Sequence, residues 1–99
     1  MSSDEDTIWQ AAFKGNIERL RALIDSKADV EAKYRTSDGR EDKTPLHYAA
    51  EGGQIAAMQT LLNAKAFVNS REWADETPLH EAAMAGHDDA VDLLISSHA

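Results

Sequence analysis

The chain has 99 residues, 18 acidic against 10 basic side chains, a formal net charge of −8 and no cysteine. This length supports one domain, and the missing cysteines exclude disulfides and thiol chemistry. So acidic a surface repels phosphate backbones, which argues against nucleic-acid binding, and no apolar run approaches the length of a membrane span.

The predicted elements follow in chain order. Met1–Asp6 is polar and acidic, unlike a signal peptide. Ser3 is expected to cap a first helix, with Asp4, Glu5 and Asp6 favouring its positive end. That helix carries Ala11 and Ala12 and ends at Gly15, a residue suited to a left-handed terminus. Leu20, Leu23 and Ile24 then recur at helical spacing. The connection Lys27–Glu31 leads into an enlarged loop, Ala32–Lys43, which holds the only positive stretch of the chain.

Thr44 is an N-cap residue, and Pro45 suits the first helical position, where a missing N–H costs nothing. Gly53 ends this helix, and Met58, Leu61 and Leu62 mark the next. After a connection through Lys65–Asn69 and Trp73, the same signals return as Thr77, Pro78 and Gly86, followed by Val91, Leu94 and Ile95.

The recurrence is a repeat. Thr-Pro-Leu-His occurs at Thr44–His47 and again 33 residues later at Thr77–His80. Tyr48-Ala49-Ala50-Glu51-Gly52-Gly53 aligns with Glu81-Ala82-Ala83-Met84-Ala85-Gly86. A worn first copy places Ala11–Gly15 on Ala49–Gly53, and Lys27-Ala28-Asp29-Val30 on Lys65-Ala66-Phe67-Val68. These residues resemble the ankyrin repeat, with T-P-L-H-x-A-A-x-x-G, an apolar helix ending in Leu-Leu, and a hairpin. The first copy departs in having Thr7-Ile8-Trp9 in place of Pro-Leu-His, and Lys27 and Lys65 stand at the usual hairpin glycine. The resemblance implies an all-α solenoid of helix–turn–helix units with short β-hairpin connections. It forms one domain over residues 1–99, with repeats at about 4–36, 42–74 and 75–99.

No catalytic constellation stands out. His47 and His80 belong to the repeat motif, and each is expected to hold an adjoining turn through a ring N–H; removing His80 is expected to cost that turn a buried hydrogen-bond partner. His80-Glu81 begins like a zinc-protease helix, but Met84 stands where its second histidine would be. His87 and His98 lack partners at metal-ligand spacing. Gly52-Gly53 has no following Lys-Ser/Thr, and no nucleophile elbow occurs. No enzyme activity, cofactor or metal is therefore expected.

What the resemblance implies instead is a protein partner on the concave face. By register that face takes Phe13, Glu51 and Met84 from the first helices, bordered by Tyr48 and Glu81. Hairpin and loop positions add Tyr34, Arg40, Trp73 and Glu76. Trp73 reads either as an interface anchor or as a ring packed on Tyr34 or Phe67. Phe13 and Met84 read either as contact residues or as partly buried between helices, and Trp9 as core. Residues 70–99 carry one arginine against seven carboxylates, which favours a basic partner or simply solvates the face.

The expected function is non-catalytic protein recognition, as an adaptor, inhibitor or docking domain, in the cytoplasm or nucleus. The alternatives are a regulatory or targeting N-terminal module of a larger enzyme, and end-to-end self-association of an otherwise monomeric chain.

Overall fold

A computed structural model describes residues 7–34, 42–72 and 74–97. Six helices follow one another: α1 (Ile8–Lys14), α2 (Ile17–Asp25), α3 (Pro45–Glu51), α4 (Ile55–Asn63), α5 (Pro78–Ala85) and α6 (Asp88–Ser96). Each odd-numbered helix pairs with its successor. The inner helices stack as α1 on α3 on α5, and the outer ones as α2 on α4 on α6. Contacts thus run between neighbouring units, as in a solenoid.

Local chemistry sets the helix ends. Thr44 Oγ1 accepts from the His47 N–H at 3.4 Å, and His47 Nδ1 accepts from the Thr44 N–H at 3.2 Å. The Thr-Pro-x-His motif is therefore a capping box with histidine in the usual Glu/Gln place, and Pro45 at the first position loses no bond. Thr77 and His80 repeat the arrangement, with the Thr77 N–H 3.1 Å from His80 Nδ1. In the first unit Thr7 takes the cap, its Oγ1 accepting from the Gln10 N–H at 3.2 Å. This corrects the assignment to Ser3, which lies outside the described residues.

Glycine is required at the reversals. Gly15 and Gly86 have φ of 74° and 77°, and each donates to carbonyls of the last turn. Lys27 and Lys65 occupy the same left-handed region at φ 72° and 76° without glycine's freedom.

Leu20, Leu46, Met58, Leu61 and Leu94 form the fully buried core. Ala11, Ala12, Ala49, Ala50 and Ala82 lie between the inner helices, where short side chains let the backbones close. On the far side of α5 the matching positions His80 and Ala83 are exposed, as is Ile95 on α6. The hairpin connections contribute one isolated antiparallel bridge among the described residues, Tyr34 to Lys43. Glu31 ties the first connection to the second: its carboxylate accepts from the Phe67 N–H and from Ser70 Oγ, the latter at 2.7 Å.

Candidate functional site

A cleft of about 260 Å³ opens on the inner-helix side between the first two units. Thr7, Trp9, Gln10 and Phe13 line it from α1 and its cap, Tyr48 and Glu51 from α3, and Tyr34 from the base of the enlarged loop. Trp9 and Gln10 lie one residue apart at the start of α1, and Phe13 follows Trp9 by four, one helical turn on. Tyr48 and Glu51 are likewise three apart on α3.

The rings make walls. Trp9 and Tyr34 meet edge to face, centroids 5.1 Å apart at 61°. Tyr34 and Tyr48 do the same at 6.2 Å and 79°. Both contacts fall in the range where aromatic edges and faces attract. Main-chain bonds hold the walls in place. The Trp9 Nε1–H donates to the Ala32 carbonyl at 2.9 Å, and the Tyr34 N–H to the Lys43 carbonyl at 2.9 Å. Phe13 and Tyr34 nevertheless keep 41% and 42% of their surface in contact with solvent.

One carboxylate, Glu51, lines the cleft. Lys43 Nζ lies 3.3 Å from Glu51 Oε1, 3.7 Å from Glu81 Oε2 and 5.6 Å from the centre of the Tyr48 ring. Glu81 is only 4% exposed, and its Oε2 has no hydrogen-bond partner. Burial pushes its carboxyl above the usual range, against the pull of Lys43. Glu72, Glu76 and Glu81 bring carboxylate oxygens within 4.8 Å of one another, a spacing that could hold a cation. The chain supplies one itself in Lys43, and Glu72 Oε1 is engaged by the N–H groups of Ala74 and Glu76.

Of the residues expected at a partner surface, Phe13, Tyr34, Tyr48 and Glu51 converge on the cleft. Met84 is 68% exposed but stands apart from it. Glu76 is half-buried, and its carbonyl is engaged by His47. Glu81, expected to border the first-helix positions, is buried, with Lys43 and the carboxylates of Glu72 and Glu76 close by. Arg40 and Trp73 lie outside the described residues. Trp9, expected in the core, is half-buried and walls the cleft. The signal available was its place at the motif histidine: like that histidine, it needs an acceptor for a ring N–H.

His47 and His87 are accounted for by the fold, and His98 lies outside the described residues. His47 Nε2–H donates to the Glu76 carbonyl at 2.8 Å, and His87 Nε2 contacts the Glu51 carbonyl at 3.1 Å. His87 packs so closely under the turn that a Cβ on Gly53 would lie 2.7 Å from its ring. No helix among the described residues is long and apolar enough to cross a membrane.

Among curated proteins, none matches this chain. Residues 8–99 match the family model of ankyrin repeats (3 copies). With the capping boxes, the stacked helix pairs and that match together, the chain belongs to the ankyrin repeat family, whose repeats are generally protein–protein interaction modules and generally non-catalytic.

Proposed function

We propose that this chain is a non-catalytic recognition module that binds a protein partner through its inner-helix face, centred on the cleft between the first two repeats. The observation that carries this reading is the cleft's composition. Four aromatic side chains sit together beside the Glu51 carboxylate, and two of them remain substantially exposed. The repeat core explains Trp9 and Tyr48 in part, but it gives no reason for exposed rings at Phe13 and Tyr34. Rigid aromatic rings are the commonest anchors of protein interfaces. Glu51 and the chain's net charge of −8 favour a partner with a basic surface. Adaptor, inhibitor and docking roles would all use this face.

Site-specific photocrosslinking tests the reading. A benzophenone side chain at position 13 should trap a partner in the cell, while one at position 21, exposed on the outer helix α2, should not. Equal trapping from both positions, or trapping from position 21 alone, would refute it.

A further inference from the structure

We infer that the cleft recognises a methylated lysine side chain on a basic segment of the partner, held over Trp9, Tyr34 and Tyr48 with Glu51 at the rim. This rests on the reading of the inner-helix face as the partner surface and names what enters it.

Geometry comes first. Trp9 and Tyr34 stand at 61° to each other, and Tyr34 and Tyr48 at 79°, so three ring systems wall one space from different sides. Thr7, Gln10, Phe13 and Glu51 complete the lining. A cation within about 6 Å of several ring faces is attracted by each of their quadrupoles. The volume, about 260 Å³, has room for the end of an alkylammonium chain.

Charge comes second. Glu51 lines the cleft, and Lys43 links it to the buried Glu81, which lies outside the lining. Lys43 is also an internal precedent. Its ammonium sits 5.6 Å from the Tyr48 ring centre and 3.3 Å from Glu51, so this ring and this carboxylate already accommodate an ammonium from the chain itself.

Methylation follows from desolvation. An unmodified ammonium carries three N–H donors and a tight hydration shell. The ring faces cannot replace those hydrogen bonds, and Glu51 Oε1 is already shared with Lys43. Each methyl group removes a donor, spreads the charge and adds apolar contact with the rings, so the cost of leaving water falls while the attraction to the rings persists.

The test uses the whole chain and a nine-residue probe peptide of Gly, Ser and Arg with one central lysine. The lysine carries zero, one, two or three methyl groups, or is replaced by a neutral isostere with carbon in place of the trimethylated nitrogen. The trimethyl form should bind about tenfold more tightly than the unmethylated form, and the neutral isostere should lose that gain. The Trp9 indole N–H resonance should shift on titration. Phe13→Ala and Glu51→Gln should each erase most of the discrimination, Met84→Ala should leave it, and thermal melts should show all three folded. Equal affinity for the unmethylated and trimethyl peptides would overturn the inference, as would equal affinity for the neutral isostere. Absence of binding, or binding without movement of the Trp9 resonance, would also overturn it. Crosslinking from position 13 would be unaffected by any of these results, so the two readings fail separately.

Discussion

His47 Nε2–H donates to the main-chain carbonyl of Glu76 at 2.8 Å, across 29 residues of chain. Because that nitrogen donates, Nδ1 is the acceptor, and it receives the Thr44 N–H. One imidazole thus closes the start of α3 and pins the hairpin of the next unit. His80 makes only the local half of this arrangement, and it is exposed. The expectation that removing His80 strands a buried partner therefore fails, because its bond is exposed; the buried arrangement is at His47. His47→Ala should cost about 1–3 kcal/mol, the penalty for stranding buried polar groups. His80→Ala should cost under about 1 kcal/mol, as for a solvent-exposed bond. Urea unfolding of the two variants checks the difference, and equal losses would contradict it.

His47 also shapes the acid side of the stability curve. Burial holds its ring below the ordinary value near 6.5, against the pull of the Glu76 carbonyl. Between its folded value and 6.5 the unfolded chain binds more protons. Its contribution is therefore complete above 6.5 and lost as pH falls through the folded value. The slope of unfolding free energy against pH below 6.5 should flatten in His47→Ala.

Glu81 has the opposite sign. Its carboxyl is raised above an ordinary value of 4.5, so the folded chain binds the extra proton. Its contribution is complete below 4.5 and lost as pH rises through the folded value. Glu81→Gln should abolish this component and change stability at neutral pH by less than about 1 kcal/mol, since Lys43 keeps Glu51. Lys43→Met removes the counter-ion of a buried carboxylate and should cost about 2–4 kcal/mol at neutral pH. A Glu81→Gln loss as large as that of Lys43→Met would show that the pair, and not the buried charge, dominates.

Much of the fold is readable in the sequence because its determinants are local. Thr44, Pro45 and His47 lie within one turn of helix, and Gly15, Gly53 and Gly86 act through their own φ angles. Part of the cleft is readable for a related reason: Phe13 and Glu51 share a register position, and Tyr48 lies about one helical turn before Glu51. The remainder depends on where distant backbone returns. Lys43 meets Glu81 only once α5 has stacked on α3 and brought the residues 38 apart in the chain to 3.7 Å. That stacking buries a glutamate whose sequence position reads as an outward rim. Trp9 reads as core by size, yet its ring N–H must reach the Ala32 carbonyl, which draws the indole to the edge of the cleft.

Lys27 and Lys65 are misfits that a substitution should relieve. Both lie in the left-handed region, where a Cβ crowds the following carbonyl at a cost of about 1–2 kcal/mol. Glycine removes that strain but loses more chain entropy on folding, about 0.5–1 kcal/mol. Each Lys→Gly change should therefore stabilise by about 0.5–1 kcal/mol. The sites sit in different repeats, so the double variant should gain nearly the sum. Thermal and urea midpoints that fall, or a double variant no better than either single one, would count against this account.

Glu31 offers a local test of how one repeat holds the next. Its carboxylate accepts from the Phe67 N–H and from Ser70 Oγ, linking hairpins whose residues are 36 and 39 apart in sequence. The neighbouring Ala66 N–H donates instead to the Leu61 carbonyl at 3.0 Å, within its own repeat. Glu31→Ala should thus accelerate hydrogen exchange at the Phe67 amide while leaving Ala66 protected. Glu31→Gln keeps a carbonyl acceptor and should retain part of the protection. The overall loss in Glu31→Ala should be about 1 kcal/mol, because the site is partly solvated and water replaces what the carboxylate gave. If the Phe67 amide exchanges no faster than before, the hairpins are held together by packing of the helices beneath them, and Glu31 is a bystander. If Ala66 loses protection to the same degree, the substitution has loosened the repeat as a whole, and the bond between the hairpins would then be part of what keeps α4 in place.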